Sequence, residues 1–149
     1  MTILIVEDDL ARAELFTEAL RGHTIYLSKT VDRALQWLKE GVEFDTIFLD
    51  HDLLDHHYSD HPELIGETLE QRYNRIHNHP GTGREVALFL RDNPSVCKDA
   101  RIIIHSMNRT ASEMMRRDLE SRSADKLPFP VVMLTLLQNG ENGGRLSKN

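Results

Sequence analysis

Thr2-Ile3-Leu4-Ile5-Val6-Glu7-Asp8-Asp9, read beside Thr46-Ile47-Phe48-Leu49-Asp50-His51-Asp52, decides the fold of this chain. Each segment is a short apolar run, rich in β-branched residues, that ends abruptly in acids. A strand buried between two helical layers needs such a run, apolar on both faces. The acids then fall at the carboxyl ends of strands. In an open parallel sheet, ligands bind there, near the point where strand order reverses. Carboxylates gathered in one place repel one another unless a cation lies between them, and an oxygen-rich cluster suits a hard divalent ion such as Mg²⁺.

Working outward, helices and strands alternate. Asp8 or Asp9 is placed to cap a first helix carrying Ala11, Leu15 and Ala19, with Phe16 and Leu20 beside them, and Gly22 stops it. Thr24 to Ser28 alternates as strand two. Val31, Ala34, Leu35 and Leu38 repeat at helical spacing over Thr30 to Lys39, which Gly41 ends. Phe44 to Leu49 reads as strand three, Arg84 to Arg91 as helix three and Arg101 to His105 as strand four. Thr110 and Glu113 form a capping-box pattern opening a helix with Ala111, Met114, Met115 and Leu119 inward. The β-branched run Val131 to Leu136 reads as strand five, leaving the fifth helix missing or short.

This order predicts an α/β, flavodoxin-like three-layer sandwich with a five-stranded parallel sheet in the order 2-1-3-4-5. That order sets strands one and three side by side and joins the two acidic clusters. A single domain over 1–137 is expected, with a helical insertion over about 53–82 and a flexible tail over 138–149. The insertion holds a helix expected over Glu63 to Arg75. So long an excursion is more often functional than idle.

The chain has 149 residues, 40% of them hydrophobic, enough for one core. A formal net charge of −6 argues against a nonspecific grip on nucleic acid, which needs a basic face. Cys97 stands alone, so no intramolecular disulfide forms, and no apolar run approaches the length of a membrane span. The expectation is a cytoplasmic protein with no membrane partner and no DNA-binding effector domain.

Ile3 to Asp9, Asp50 and Ser106 together resemble the response-regulator receiver domain over roughly residues 1 to 136. The resemblance implies that Asp8 and Asp50 hold Mg²⁺ or Mn²⁺ with the Asp52 backbone carbonyl, that Glu7 assists, and that Ser106 contacts a phosphoryl group on Asp50. Partners would be a phosphodonor or histidine kinase. Two departures are visible. Receivers place a lysine followed by proline at the end of strand five, where this chain has Thr135-Leu136-Leu137-Gln138; Lys126 lies before the expected strand. The fifth helix is also lacking. A narrower resemblance is carried by Leu49-Asp50-His51-Asp52-Leu53, by Thr82-Gly83 before a helix, and by His105-Ser106-Met107-Asn108. These are similar to a receiver-derived group proposed to process cyclic phosphate ends of RNA.

Asp50, His51 and His105 are candidate catalytic residues; Glu7, Asp8, Asp50 and Asp52 are candidate metal ligands; Ser106 and Asn108 are candidate phosphate contacts, or simply caps of helix four. Imidazoles titrate near neutral pH, so one could take a proton from a hydroxyl or water while the other gives one to a leaving oxygen. The pair could also join a carboxylate in holding a transition metal. His57 and His61 are candidate lid residues; Arg72, Arg75 and Arg84 are surface residues unless a phosphate partner recruits one. Three functions are open: an atypical receiver phosphorylated on Asp50, a metal-dependent enzyme of cyclic phosphodiesterase or phosphatase type acting on RNA ends or another phosphate ester, and a non-catalytic interaction module that uses the insertion.

Overall fold

The computed structural model describes residues 1–53 and 81–141; the insertion helix and its histidines and arginines lie outside the described residues, as does the stretch 142–149. Strands β1 (Thr2–Val6), β2 (Thr24–Ser28), β3 (Thr46–Leu49), β4 (Arg101–Ile104) and β5 (Asp125–Lys126) form one parallel sheet in the order β2-β1-β3-β4-β5. Helices α1 (Leu10–Ala19), α2 (Val31–Lys39), α3 (Gly83–Asp92), α4 (Arg109–Asp118) and α5 (Phe129–Glu141) cover it. The fold is the flavodoxin-like, receiver-type sandwich that the acid-ended strands predict.

Alternation along the strands splits the core into two apolar layers. Leu4, Val6, Ile47, Leu49, Ile102 and Ile104 face α2, α3 and α4, where Val31, Ala34, Leu38, Val86, Leu90 and Met115 meet them. Ile3, Ile5, Phe48 and Ile103 face the other way, toward Phe16 and Leu20 at α1 and Val132 and Leu136 of α5. Among the described residues no helix is long and apolar enough to cross a membrane.

Helix starts follow from short polar caps. Asp9 accepts from the Arg12 amide at 2.9 Å, and Asn108 accepts from the Ala111 amide at 3.0 Å. Gly22 and Gly41, at φ 96° and 88°, end α1 and α2 in the left-handed conformation that a side chain resists.

Several expectations are corrected. The buried positions of α1 are Ala13 and Phe16, with Leu20 at its end, whereas Leu15 is 52% exposed. Asn108, not Thr110, caps α4, and Glu113 pairs with Arg116 and Lys126 rather than closing a capping box. The largest correction concerns the C-terminal run. Val131 to Leu136 is helical, inside the 13-residue α5, so the fifth helix is neither missing nor short. That helix runs past Gln138 to Glu141, into the stretch expected to be a tail. A continuous apolar run does not reveal its own period. Here Pro130 sits in the first turn, where its lost N–H costs nothing, and Val132 and Leu136 share one buried face. Strand five is instead the polar pair Asp125-Lys126, and Lys126 lies on it rather than before it.

Candidate functional site

Register builds the site. Val6 pairs with Leu49 and Leu49 with Ile104, so the next residue on each chain, Glu7, Asp50 and His105, falls in one row across the strand ends. Backbone bonds extend the ladder by that one step: the Asp50 amide donates to Val6 O at 3.1 Å, and the His105 amide to Leu49 O at 2.9 Å. Leu127 completes the row beyond β5, its amide donating to Ile104 O at 2.9 Å. Neighbouring strands lie about 4.8 Å apart, so side chains at one level of one face must meet. Parity puts all three polar residues on the α1–α5 face, with Ile3, Ile5, Phe48 and Ile103.

All three side chains are fully buried. One ligand atom from each of Glu7, Asp50 and His105 lies within 4.8 Å of the others. His105 Nε2 is 3.3 Å from Glu7 Oε1, and its ring stands edge-on to Phe16 at 5.0 Å. Neither ring nitrogen of His105 finds a hydrogen-bond partner among the described residues. Burial pushes the Asp50 carboxyl up to about 7, with the Glu7 charge adding to the effect, and raises Glu7 as well. Burial also pushes His105 down to about 4, so its imidazole is neutral at physiological pH. A buried acid pair and an imidazole without a hydrogen-bond partner among the described residues, all within mutual reach, fit a divalent cation. The mixed nitrogen and oxygen donors accommodate Mn²⁺ as well as Mg²⁺.

A cation of the chain's own already contacts this row. Arg12, one turn into α1, places Nε 3.0 Å from Glu7 Oε1 and Nη2 3.4 Å from Asp50 Oδ2. Its guanidinium lies over the Phe129 ring at 5.8 Å from the centroid. Sequence reasoning passed over Arg12, although a helix capped by Asp9 brings its third residue back toward the strand end that precedes it.

The other candidates sit around the row. His51 Nδ1 is 2.7 Å from Asp52 Oδ1, both side chains buried, and the His51 amide donates to Asp50 Oδ1 at 2.8 Å. Asp52 and the half-buried Asp8 are not members of the Glu7–Asp50–His105 cluster. Ser106 Oγ accepts from the Asn108 amide at 3.1 Å, so the two candidate phosphate contacts together shape the first turn of α4. Arg84 pairs with Asp118 at 3.0 Å.

Thr82-Gly83 also acquires a physical meaning. The Gly83 amide donates to His51 O at 2.8 Å, and a Cβ on Gly83 would overlap the Asp50 carbonyl oxygen. Only glycine lets α3 start this close to the end of β3. Thr82 is buried beside it.

The strand-five position corrects a further expectation. Lys126 is on β5, but its ammonium reaches Glu113 Oε2 at 3.2 Å and is 40% exposed. The residue before Pro128, next in the row after His105, is Leu127, which packs into the apolar layer of α1 and α5. No lysine of β5 therefore faces the acids.

Fold and strand-end row together define a receiver-type domain. The chain is similar in structure to a CheY-like response regulator receiver domain protein from Methanospirillum hungatei JF-1, with a TM-score of 0.60 and 19% identity over 95% of this chain and 90% of that one. It is also similar to the Mn²⁺-bound form of response regulator Rcp1, with a TM-score of 0.63 and 16% identity over 98% and 96% of the two chains. Response regulator TrrA from Thermotoga maritima, in complex with Mg²⁺-BeF, gives a TM-score of 0.56 and 23% identity over 95% and 96%. No curated protein matches the chain. Residues 3–121 match the model of the Cyclic-phosphate processing Receiver domain, and the chain belongs to that family.

Proposed function

We propose that the domain binds a divalent cation through Glu7, Asp50 and His105 and hydrolyses a cyclic phosphate ester held above the strand ends. The row itself carries this reading: an imidazole stands beside the acids, and a leucine stands where a lysine would neutralise a stable aspartyl phosphate. Bound Mg²⁺ or Mn²⁺ would polarise phosphate oxygens and offset developing charge. Asp8 and Asp52 flank the row in sequence, and Asp52 acts through His51, to which it is bound at 2.7 Å.

The chain's own groups do the rest. Asp52 takes the Nδ1–H of His51 and so fixes its tautomer, leaving Nε2 as the nitrogen that accepts a proton from attacking water. Water oxygen bonds to phosphorus, one ring P–O bond breaks, and the departing oxygen takes a proton from solvent. His105, neutral and enclosed by Phe16 and Phe48, serves as a ligand rather than as an acid. Ser106 Oγ, with the amides opening α4, receives phosphate oxygens, and Asn108 holds that turn in shape.

A second reading is phosphorylation of Asp50 by a small phosphodonor or a histidine kinase. It is favoured by the position of Asp50 at the end of β3, at the centre of the row. One experiment separates the readings. The protein with Mg²⁺ or Mn²⁺ is exposed separately to an RNA bearing a 2′,3′-cyclic phosphate and to acetyl phosphate, and both are followed by mass spectrometry. Loss of the cyclic end, abolished in His51→Ala and in Asp50→Asn, supports hydrolysis. An adduct of one phosphoryl group on Asp50 supports the receiver reading. Neither change leaves the domain as an interaction module.

A further inference from the structure

The row of Glu7, Asp50, His105 and Leu127 gains no cation from β5, because Lys126 is tied to Glu113 and Leu127 is apolar. Its one ion-pairing cation among the described residues is Arg12. The two carboxylates it touches are fully buried, while the Arg12 side chain is 22% exposed and so lies between them and solvent. Its backbone is fixed by the Asp9 cap, and the Phe129 ring supports the guanidinium from below. The guanidinium contacts both carboxylates and that ring.

We infer that Arg12 is an exchangeable counter-ion, spanning Glu7 and Asp50 in the metal-free protein and turning outward, when a divalent cation enters, to clamp the oxygens of a phosphate group. The inference rests on the cation site proposed above. A guanidinium reaching both carboxylates within 3.4 Å stands where a metal ion would bind them, and two cations cannot share that space. The metal, doubly charged and smaller, takes the buried oxygens. Displaced from the carboxylates, the guanidinium would remain beside the row on α1, within reach of a phosphate group held there. A planar guanidinium matches two phosphate oxygens at once, which the ammonium of a lysine does not. Arg12 thus supplies from α1 the phosphate-facing charge that β5 lacks, and it shields the empty acids from one another until the metal arrives.

This arrangement makes Arg12 oppose metal binding and assist anion binding. A side chain that merely supports the fold would move both affinities in the same direction or leave both unchanged. The test uses the full-length chain, with Mn²⁺ affinity read from the electron paramagnetic resonance of free Mn²⁺. Affinity for beryllofluoride, a phosphoryl mimic, is read by ¹⁹F NMR with Mg²⁺ present. Arg12→Gln should bind Mn²⁺ about tenfold more tightly and beryllofluoride about tenfold more weakly, a typical size for coupling between adjacent sites. Arg12→Lys should fall between Arg12→Gln and wild type on both scales, and circular dichroism checks that each variant is folded. Weaker or unchanged Mn²⁺ binding in a folded Arg12→Gln overturns the counter-ion role while leaving the cation site standing. Tighter Mn²⁺ binding with undiminished beryllofluoride affinity overturns the clamp. A wild-type chain that binds no Mn²⁺ overturns the cation site and, with it, the inference.

Discussion

Replacing Asp50 by Asn should stabilise the metal-free protein, increasingly so as pH rises. Asp50 is fully buried, and its carboxyl is pushed from 3.8 up to about 7 chiefly by desolvation. A group whose folded value lies above its unfolded value contributes stability that is complete below the unfolded value and is lost as pH rises through the folded one. Between pH 4 and pH 8 the wild type should therefore lose stability at this position while Asp50→Asn does not. A shift of about 3 pH units corresponds to about 4 kcal/mol at most, of which the pair with Arg12 is already part. His105, depressed to about 4, acts in the opposite sense, gaining stability as pH rises toward its unfolded value. It is present in both proteins, so it largely cancels from their difference and flattens the wild-type profile. The assay is urea unfolding in chelator from pH 4 to pH 8, followed by the fluorescence of Trp37, the single tryptophan, which packs against Tyr26 in the apolar layer on the opposite face of the sheet from the row. The difference between the variants should widen with pH up to about 7 and then level off. Saturating Mg²⁺ should narrow the difference, because a ligand at a hundred times its Kd adds about 2.7 kcal/mol to a protein that binds it. Parallel pH profiles in chelator would refute the claim that Asp50 is a desolvated acid.

Other consequences can be measured on the same material. Metal affinity should rise about tenfold per pH unit up to about pH 7 and then level off, since the ion must displace a proton from Asp50 below that point; calorimetry between pH 5.5 and pH 8.5 would show it, and a flat profile would count against Asp50 as a ligand. Gly83→Ala should cost at least about 2 kcal/mol and weaken metal binding, because its Cβ must push α3 away from the Asp50 carbonyl; denaturant titration and Mn²⁺ binding report the two effects separately. Leu136→Ala should destabilise by about 2–4 kcal/mol and Leu137→Ala by less than about 0.5. The first residue is buried on α5 and the second is 59% exposed. In an alternating strand these neighbours would also differ, so Val132→Ala, one helical turn earlier, should match Leu136→Ala, while Leu134→Ala, on the same strand face as both, should be nearly neutral.

Much of the sheet could be read from local signals. The acid-ended runs of β1 and β3 carry their own strand length and burial on both faces, and helix two shows its face through Val31, Ala34 and Leu38. Where signals conflicted, the reading failed for identifiable reasons. Val131 to Leu136 is β-branched at its start and apolar throughout, so composition favoured a strand. What decided the matter was Pro130 in the first turn and the docking of Val132 and Leu136 against Phe16, Phe48 and Ile103. In α1, Leu15 resembled a core residue, yet the shorter Ala13 faces the sheet because the helix must pass close to it.

The sequence by itself determined the parallel α/β order, the strand ends at which acids accumulate and the family to which the chain belongs, because these depend on residue types and spacings within single segments. The predicted strand order already joined the two acidic clusters; tertiary structure decided which side chains of those clusters share one face and what else meets them. Glu7, Asp50 and His105 come from three strands and share a site only because register puts them at one level and alternation turns them to one face. The same geometry brings Arg12 across from α1, ties Lys126 to Glu113 and leaves Leu127 at the end of the row. Charge at the site is thus settled by the alignment of distant segments, which no spacing along the chain encodes.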